Sequence, residues 1–204
     1  MLLPNKLLLA GALSLAIAAC NSNKQPHASE TTDINEVREL EKEELVARGE
    51  YLLTIGGCHD CHTPKKFSPQ GMSLDSSMLF AGHPANMPIP PIDGDALKPG
   101  NWMQMGPHIT SFAGPWGMTF AANLTPDSAT GIGAWTEEVF VKTLRTGKHL
   151  GQENGRPIMP PMPWQYVAKM TDEDLKAIYS YLRSLPPVVN RVPAPVPPTE
   201  VKTK

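Results

Sequence analysis

Cysteine is scarce in this chain of 204 residues, which contains Cys20, Cys58 and Cys61 and no others. Cys58 and Cys61 lie three residues apart, and no second cysteine pair accompanies them, so the usual four-ligand zinc site lacks thiols. A thioredoxin-like redox pair would need a βαβ pattern around it, which the sequence does not show. No thiol remains for a structural disulfide once these three positions are assigned.

Excess positive charge, internal repeats and long apolar runs are also missing. The formal net charge of −2 argues against nucleic acid as the main partner. The apolar stretch 7–19 is too short and too weakly flanked for a transmembrane helix. Neither a nucleophile with its base nor a nucleotide-binding loop is recognisable, so an enzyme is not expected. The 22 prolines predict that much of the chain is loop or extended.

The stretch Cys58-His59-Asp60-Cys61-His62 has the C-x-x-C-H pattern by which c-type haem is attached to proteins. Cysteines three apart lie on one side of a helical turn, and each can form a thioether with a haem vinyl group. His62 then lies under the ring and can donate an imidazole nitrogen to iron as an axial ligand. The motif predicts one covalent haem c, held by Cys58 and Cys61.

The second axial ligand is expected in the proline-rich stretch 156–164, whose prolines restrict the loop. A thioether sulfur is neutral and soft, so it stabilises ferrous iron and raises the reduction potential. Met162, nearer the final helix, is the predicted ligand, with Met159 in reserve, and core packing is the alternative for both. His83 and His108 are further potential ligands, for which solvent-exposed or structural roles are favoured.

The amino-terminal segment reads as a processing signal, because Lys6 precedes the apolar stretch 7–19. The stretch 17–20, Ile-Ala-Ala-Cys, resembles a bacterial lipoprotein box, in which Cys20 becomes the first residue and carries the lipid. An ordinary signal peptide with an incidental cysteine is the alternative. Multiple acyl chains anchor a protein without a membrane span. A periplasmic protein, lipid-anchored to a membrane, is expected, with the outer membrane favoured by Asn21.

Composition divides the chain into a signal peptide at 1–19, a flexible tether at 20–32, a domain at 33–187 and a proline-rich tail at 188–204. The tail either packs against the domain or trails free.

Helical periodicity and capping residues predict three helices inside the domain. Asp33 caps the first, which leads into the motif, while Thr136 and Thr171 cap the second and third. Gly49 either lets another helix cross closely or divides two short helices. Gly147 is the predicted stop of the second helix.

Residues 64–122 show no sustained period, and prolines interrupt them repeatedly. A long irregular insertion is expected, with possible short strands near 78–81 and 118–123. Packing is favoured over copper binding for the methionines of this segment.

Several segments together resemble the class I c-type cytochromes, in particular the haem domains associated with bacterial dehydrogenases. These segments are 48–52, 58–64, 123–127, 130–133 with Trp135, 144–147, 159–164 and 170–187. The resemblance implies an all-α, cytochrome c-like domain around one haem, with its first and last helices crossing. It also implies that His62 and Met162 bind the iron. Relatives often carry several haem modules, whereas one motif without a repeat predicts a monohaem chain.

The expected function is single-electron transfer in a periplasmic respiratory or dehydrogenase-linked chain. A dehydrogenase would be the donor, and an oxidase or another cytochrome the acceptor. The alternative is a haem enzyme, or a gas or redox sensor, with a displaceable sixth ligand. A set of basic residues either forms a rim for an acidic partner or, as favoured, is scattered solvated charge: Lys65, Lys66, Lys142, Lys148 and Arg156.

Overall fold

The secondary structure places two small sheets among the helices of this chain. The computed structural model describes residues 34–89 and 91–204, so Cys20, the signal peptide, the tether and the Asp33 cap lie outside the described residues. Within the described ranges no helix has the length and apolar character needed to cross a membrane. The helices and strands are α1 Ile34–Ile55, α2 Cys58–His62, β1 Lys65–Ser68, β2 Gly71–Leu74, β3 Gln104–Met105, β4 Ser111–Gly114, β5 Gly117–Phe120, α3 Glu137–Thr146, α4 Trp164–Val167 and α5 Asp172–Ser184.

The predicted helical framework is present, but the domain as a whole is not all-α. Strands β1 and β2 form an antiparallel hairpin, and β3, β4 and β5 form an antiparallel sheet in that order. The strand predicted near 118–123 overlaps β5. The strand predicted near 78–81 is wrong, because a 3-10 turn ends at Met78 and Phe80 has a left-handed backbone (φ 56°). Extended pairing cannot continue through such a residue.

Helices α3 and α5 begin at the residues that sequence predicted. The Thr136 hydroxyl accepts a hydrogen bond from the Val139 backbone N–H at 3.2 Å, and the Thr171 hydroxyl accepts one from that of Asp174 at 3.1 Å. Each bond satisfies one of the amides left unpaired at a helix start. Gly147 ends α3 with φ 65°, a left-handed conformation that glycine adopts without steric cost.

Helix α1 crosses α5 at Gly49, without a break in α1. A Cβ atom at Gly49 would lie 2.1 Å from the carbonyl oxygen of Ala177, so this close crossing requires glycine. Arg48 and Asp174 form an ion pair at 2.9 Å beside it. The crossing supports a hydrophobic group that we term the main core: Leu52, Leu53, Phe80, Ile132, Phe140, Leu144, Leu175, Ala177, Ile178, Tyr181 and Leu182.

The tail packs against the rest of the domain, and 34–204 form one compact unit. Met118 of β5 and Val196 exchange two backbone hydrogen bonds, at 2.8 and 2.9 Å. Val196 and Val201 also pack on a second, smaller hydrophobic cluster formed by Ile92, Ala113 and Met118. The proline-rich tail therefore covers the sheet.

Candidate haem site

The two motif cysteines lie on α2, directly after a reversal at Gly57, whose φ of 64° favours glycine. Both thiols are free and partly buried. Burial, with a smaller contribution from neighbouring Cys61, raises the pKa of Cys58 to about 11. Burial likewise raises the pKa of Cys61. Redox-active cysteine pairs depend on a lowered thiol pKa, so this environment disfavours a thioredoxin-like role.

The ring of His62 has a defined orientation. Its Nδ1 lies 2.9 Å from the carbonyl oxygen of Ala122, and because a carbonyl can only accept, Nδ1 carries the hydrogen. Burial lowers the pKa of His62, which favours the neutral imidazole. Nε2 therefore keeps its lone pair. Histidines that bind metal ions commonly donate their other ring N–H in this way, so His62 is prepared to coordinate through Nε2.

Residues 79–83 hold the far end of the motif. The backbone N–H of Phe80 donates to the Thr63 hydroxyl at 3.0 Å, and that of Gly82 donates to the His62 carbonyl at 2.8 Å. The Phe80 ring is fully buried, and its centroid lies 4.2 Å from that of His59. A left-handed phenylalanine costs of order 1–3 kcal/mol, which these surrounding contacts offset.

Met162 borders the same hydrophobic group as the motif. Its partly buried side chain packs against the main core, as does Cys58, whereas Met159 is not among the residues that pack there. Two hydrogen bonds hold the loop: the Ile158 N–H donates to the Gly147 carbonyl at 2.7 Å, and the Thr119 hydroxyl donates to the Pro160 carbonyl at 2.8 Å. This placement favours Met162 over Met159 as the predicted ligand.

The two further histidines considered as ligands, His83 and His108, make structural contacts. His83 is 1% exposed, and its Nδ1 lies 2.9 Å from the Thr110 hydroxyl. Burial, with a smaller contribution from His108, lowers the pKa of His83 to about 4. The Nδ1 of His108 donates to the Lys65 carbonyl at 2.7 Å. His83 therefore packs within the insertion, and His108 ties the insertion to the chain beside the motif.

The basic rim, which was the less favoured alternative, loses a member because Lys65 is buried. Lys66 is exposed and pairs with Asp75 at 2.8 Å. The Lys148 ammonium donates to the carbonyl of Glu153. These local partners agree with separate solvated charges.

Sequence reasoning missed several residues that position the site. The Ala122 carbonyl orients His62, the Lys65 ammonium binds the end of α2, and Thr119 holds the methionine loop. A backbone carbonyl has no signature in a sequence, and the other two contacts depend on residues brought together by folding. Only Lys65 offered a local signal in the sequence, because it is an ionisable residue that directly follows C-x-x-C-H-T-P.

Comparison with known proteins gives a consistent family assignment. A family model described as cytochrome c matches residues 46–186. The gluconate 2-dehydrogenase cytochrome c subunit of Pantoea cypripedii is 33% identical over 137 residues, which cover 67% of this chain and 22% of that protein. The fructose dehydrogenase cytochrome subunit of Gluconobacter japonicus is 28% identical, covering 76% of this chain and 24% of that protein.

A third relative is the cytochrome c subunit of a quinone alcohol dehydrogenase from Gluconacetobacter polyoxogenes. It is 33% identical over 146 residues, which cover 70% of this chain and 25% of the relative. The chain thus spans about a quarter of the length of these curated relatives.

The described residues fit the covalent haem c of the matching family. Two thiols are available for thioether attachment and His62 offers a neutral imidazole. The main core supplies an apolar surface beside Cys58 and Met162, whose thioether is the predicted second ligand. In the part of the chain that the structure describes, no group of three or more His, Cys, Asp or Glu is placed to bind a bare metal ion. Because the family model covers residues 46–186 and the motif lies within that match, this chain belongs to the cytochrome c family.

Proposed function

We propose that this protein is a monohaem electron carrier that exchanges single electrons with partner proteins and performs no catalysis itself. The proposal is supported by two neutral side chains that suit coordination of haem iron. His62 has an orienting hydrogen bond that leaves Nε2 available, and Met162 borders the hydrophobic group shared with Cys58. If both occupy axial positions, none remains for a substrate or gas.

Haem c, when bound, supplies reversible one-electron oxidation and reduction of its iron. Cys58 and Cys61 would hold it covalently, and His62 and Met162 would be its axial ligands. The chain's own contribution is to fix these side chains before and after electron transfer. A site held in one geometry needs little rearrangement when the charge on iron changes, which favours rapid transfer.

Spectroscopy of the purified holoprotein tests this function. We expect a ferric Met–iron charge-transfer band and no binding of carbon monoxide after reduction. High-spin iron that binds carbon monoxide readily would instead support the enzyme or sensor alternative.

The donor is proposed to be a dehydrogenase. The relatives are cytochrome subunits of gluconate, fructose and alcohol dehydrogenases, which supports a partner of this class. An oxidase or another cytochrome would accept the electron. Affinity purification of the tagged protein from its native membranes should recover a dehydrogenase subunit with a flavin, quinone or molybdenum cofactor. Recovery of the cytochrome without any dehydrogenase, under conditions that preserve a known complex, would contradict the proposal of a dehydrogenase donor.

The proposed location is the periplasm, at a membrane to which Cys20 is anchored by lipid, with the outer membrane favoured. This rests on the signal at 1–19, the stretch 17–20 and the polar tether 20–32. Cys20→Ser should move the protein from the membrane fraction to the soluble periplasmic fraction. Asn21→Ser is the matched control and should stay with the membrane. Retention of the Cys20→Ser protein would argue against a lipid anchor.

A further inference from the structure

Lys65 places a buried ammonium group against the turn that carries the haem-binding motif. The residue is 6% exposed, although lysine is almost never buried without a partner. Its Nζ donates to three carbonyl oxygens, those of His59 at 3.3 Å, Asp60 at 2.8 Å and Thr63 at 2.6 Å. The first two carbonyls belong to α2, and the third belongs to Thr63, which directly follows His62.

The hydrogen-bond geometry indicates that Lys65 is charged. An ammonium has three N–H donors, which match the three carbonyl acceptors, whereas a neutral amine has two. The carbonyl end of a helix also favours a cation. Burial lowers the pKa of Lys65, and the nearby charge of Asp60 opposes that shift.

Among the described residues, no carboxylate lies within 4 Å of the Lys65 ammonium, although that of Asp60 acts on it from a longer distance. Among the described residues, the ion pairs within 4 Å involve other lysines and arginines, such as Lys66 with Asp75 at 2.8 Å. The partners of Lys65 are backbone dipoles, which hold the cation without cancelling its charge. A positive charge therefore lies against the motif from a position with little access to water, opposed in part by the Asp60 carboxylate of the motif itself.

We propose that Lys65 is a positioning and tuning residue that raises the reduction potential of the haem iron. This inference rests on the proposed electron-transfer function. One-electron reduction converts Fe(III) to Fe(II) and removes one positive charge from the iron, with the electron supplied by a redox mediator or partner protein. A fixed cation nearby repels the ferric form more than the ferrous form, and its effect is strong where water is excluded.

Substitutions at two adjacent lysines distinguish the effect of a lost charge from the effect of a disturbed structure. Lys65→Gln and Lys65→Met remove the charge, while Lys65→Arg keeps it. Lys66→Gln is the matched control, because that side chain is 58% exposed and its charge is screened by water and salt. We expect a lower midpoint potential for Lys65→Gln and Lys65→Met, and values near wild type for Lys65→Arg and Lys66→Gln.

The measurement is a spectroelectrochemical titration of each holoprotein at low and high salt. The Met–iron band must be present in a charge-removing variant, so that a potential shift caused by loss of the methionine ligand is not attributed to the lost charge. The downward shift should persist at high salt. An unchanged potential in Lys65→Gln or Lys65→Met would overturn the proposal. Failure of both variants to retain haem, with Lys65→Arg intact, would assign Lys65 a purely structural role and also overturn it.

A different experimental result is expected if the proposed electron-transfer function itself is wrong. If wild-type protein binds carbon monoxide after reduction, the electron-carrier assignment fails before any variant is measured. If wild type shows the Met–iron band and the potentials of all four variants equal its own, the inference about Lys65 alone fails.

Discussion

The two stretches that supply the predicted iron ligands are built in different ways. His62 adjoins Cys61 in sequence, and one hydrogen bond to Ala122 completes its orientation. Met162 lies in an irregular loop whose position depends on Gly147 and Thr119, which are remote in the chain. The position of His62 is therefore set largely by covalent neighbours, and that of Met162 by tertiary contacts. We expect Met162 to be easier to displace from the iron than His62.

The largest expected effect comes from removing the covalent attachment on the histidine side. The double variant Cys58→Ser, Cys61→Ser has no thiol for a thioether, so haem should be lost completely on denaturation. Haem staining of a denaturing gel measures this directly, with the Cys20→Ser protein as a control that keeps both motif thiols. A stained band in the double variant would contradict the assignment.

On the methionine side, Met162→Ala should keep the covalent haem but lose the sixth ligand. We expect the Met–iron band to disappear and the reduction potential to fall, because a soft neutral sulfur no longer stabilises Fe(II). Met159→Ala is the matched control and should retain both properties. The reverse pattern would make Met159 the ligand and remove the support given by the contact of Met162 with the main core.

Gly49→Ala tests the helix crossing behind the motif. The added Cβ would lie 2.1 Å from the backbone oxygen of Ala177, so α1 and α5 must separate. We expect the free energy of unfolding to fall by about 3 kcal/mol, as measured by denaturant titration. Gly94→Ala is the control, because its Cβ would make an ordinary contact of 3.5 Å with Thr203. Equal stabilities for the two variants would show that the crossing is not close.

Acid should destabilise the region between the motif and the sheet through His83. Its pKa is about 4 when folded and near 6.5 when exposed, so the unfolded chain takes up a proton first as pH falls. The stability that neutral His83 contributes is present above pH 6.5 and is lost as pH falls from there to 4, by at most about 1.4 kcal/mol per pH unit.

His83→Gln should make the unfolding free energy less dependent on pH in that window. Burial also lowers the pKa of His149, so the comparison with wild type is needed to isolate one residue. An identical slope in both proteins would show that His83 does not titrate in this way.

The smallest expected effect concerns the hydrogen bond that holds the methionine loop. Thr119→Val removes the donor to the Pro160 carbonyl and should lower stability by about 1 kcal/mol. The Met–iron band should also disappear at a lower temperature than in wild type. Thr119→Ser keeps the hydroxyl and should behave like wild type. If the band is equally stable in both variants, Thr119 does not position the loop.

The contrast between local and tertiary contacts also explains which features could be predicted from the sequence. The motif and the caps at Thr136 and Thr171 follow from local chemistry and helical spacing. For Gly49 the sequence offered two alternatives, and the close crossing is the one that the structure shows. Of the sheet of β3, β4 and β5, a strand overlapping β5 was predicted, but β3 and β4 were not, because strands of two to four residues are too short to show alternation. The stability of this sheet depends on tail residues such as Val196, which only the folded chain brings near.

The same tail imposes an order on maturation. Chains are synthesised from the amino end, so Cys58–His62 is made more than a hundred residues before Val196. The side chain of Asn190 binds the carbonyls of Ala81 and His83, at 2.6 and 2.9 Å, beside the segment that encloses the motif. Until Asn190 has folded against it, that enclosure lacks these two hydrogen bonds. The residues that attach haem are thus made early, whereas the packing beside them is completed by residues made late.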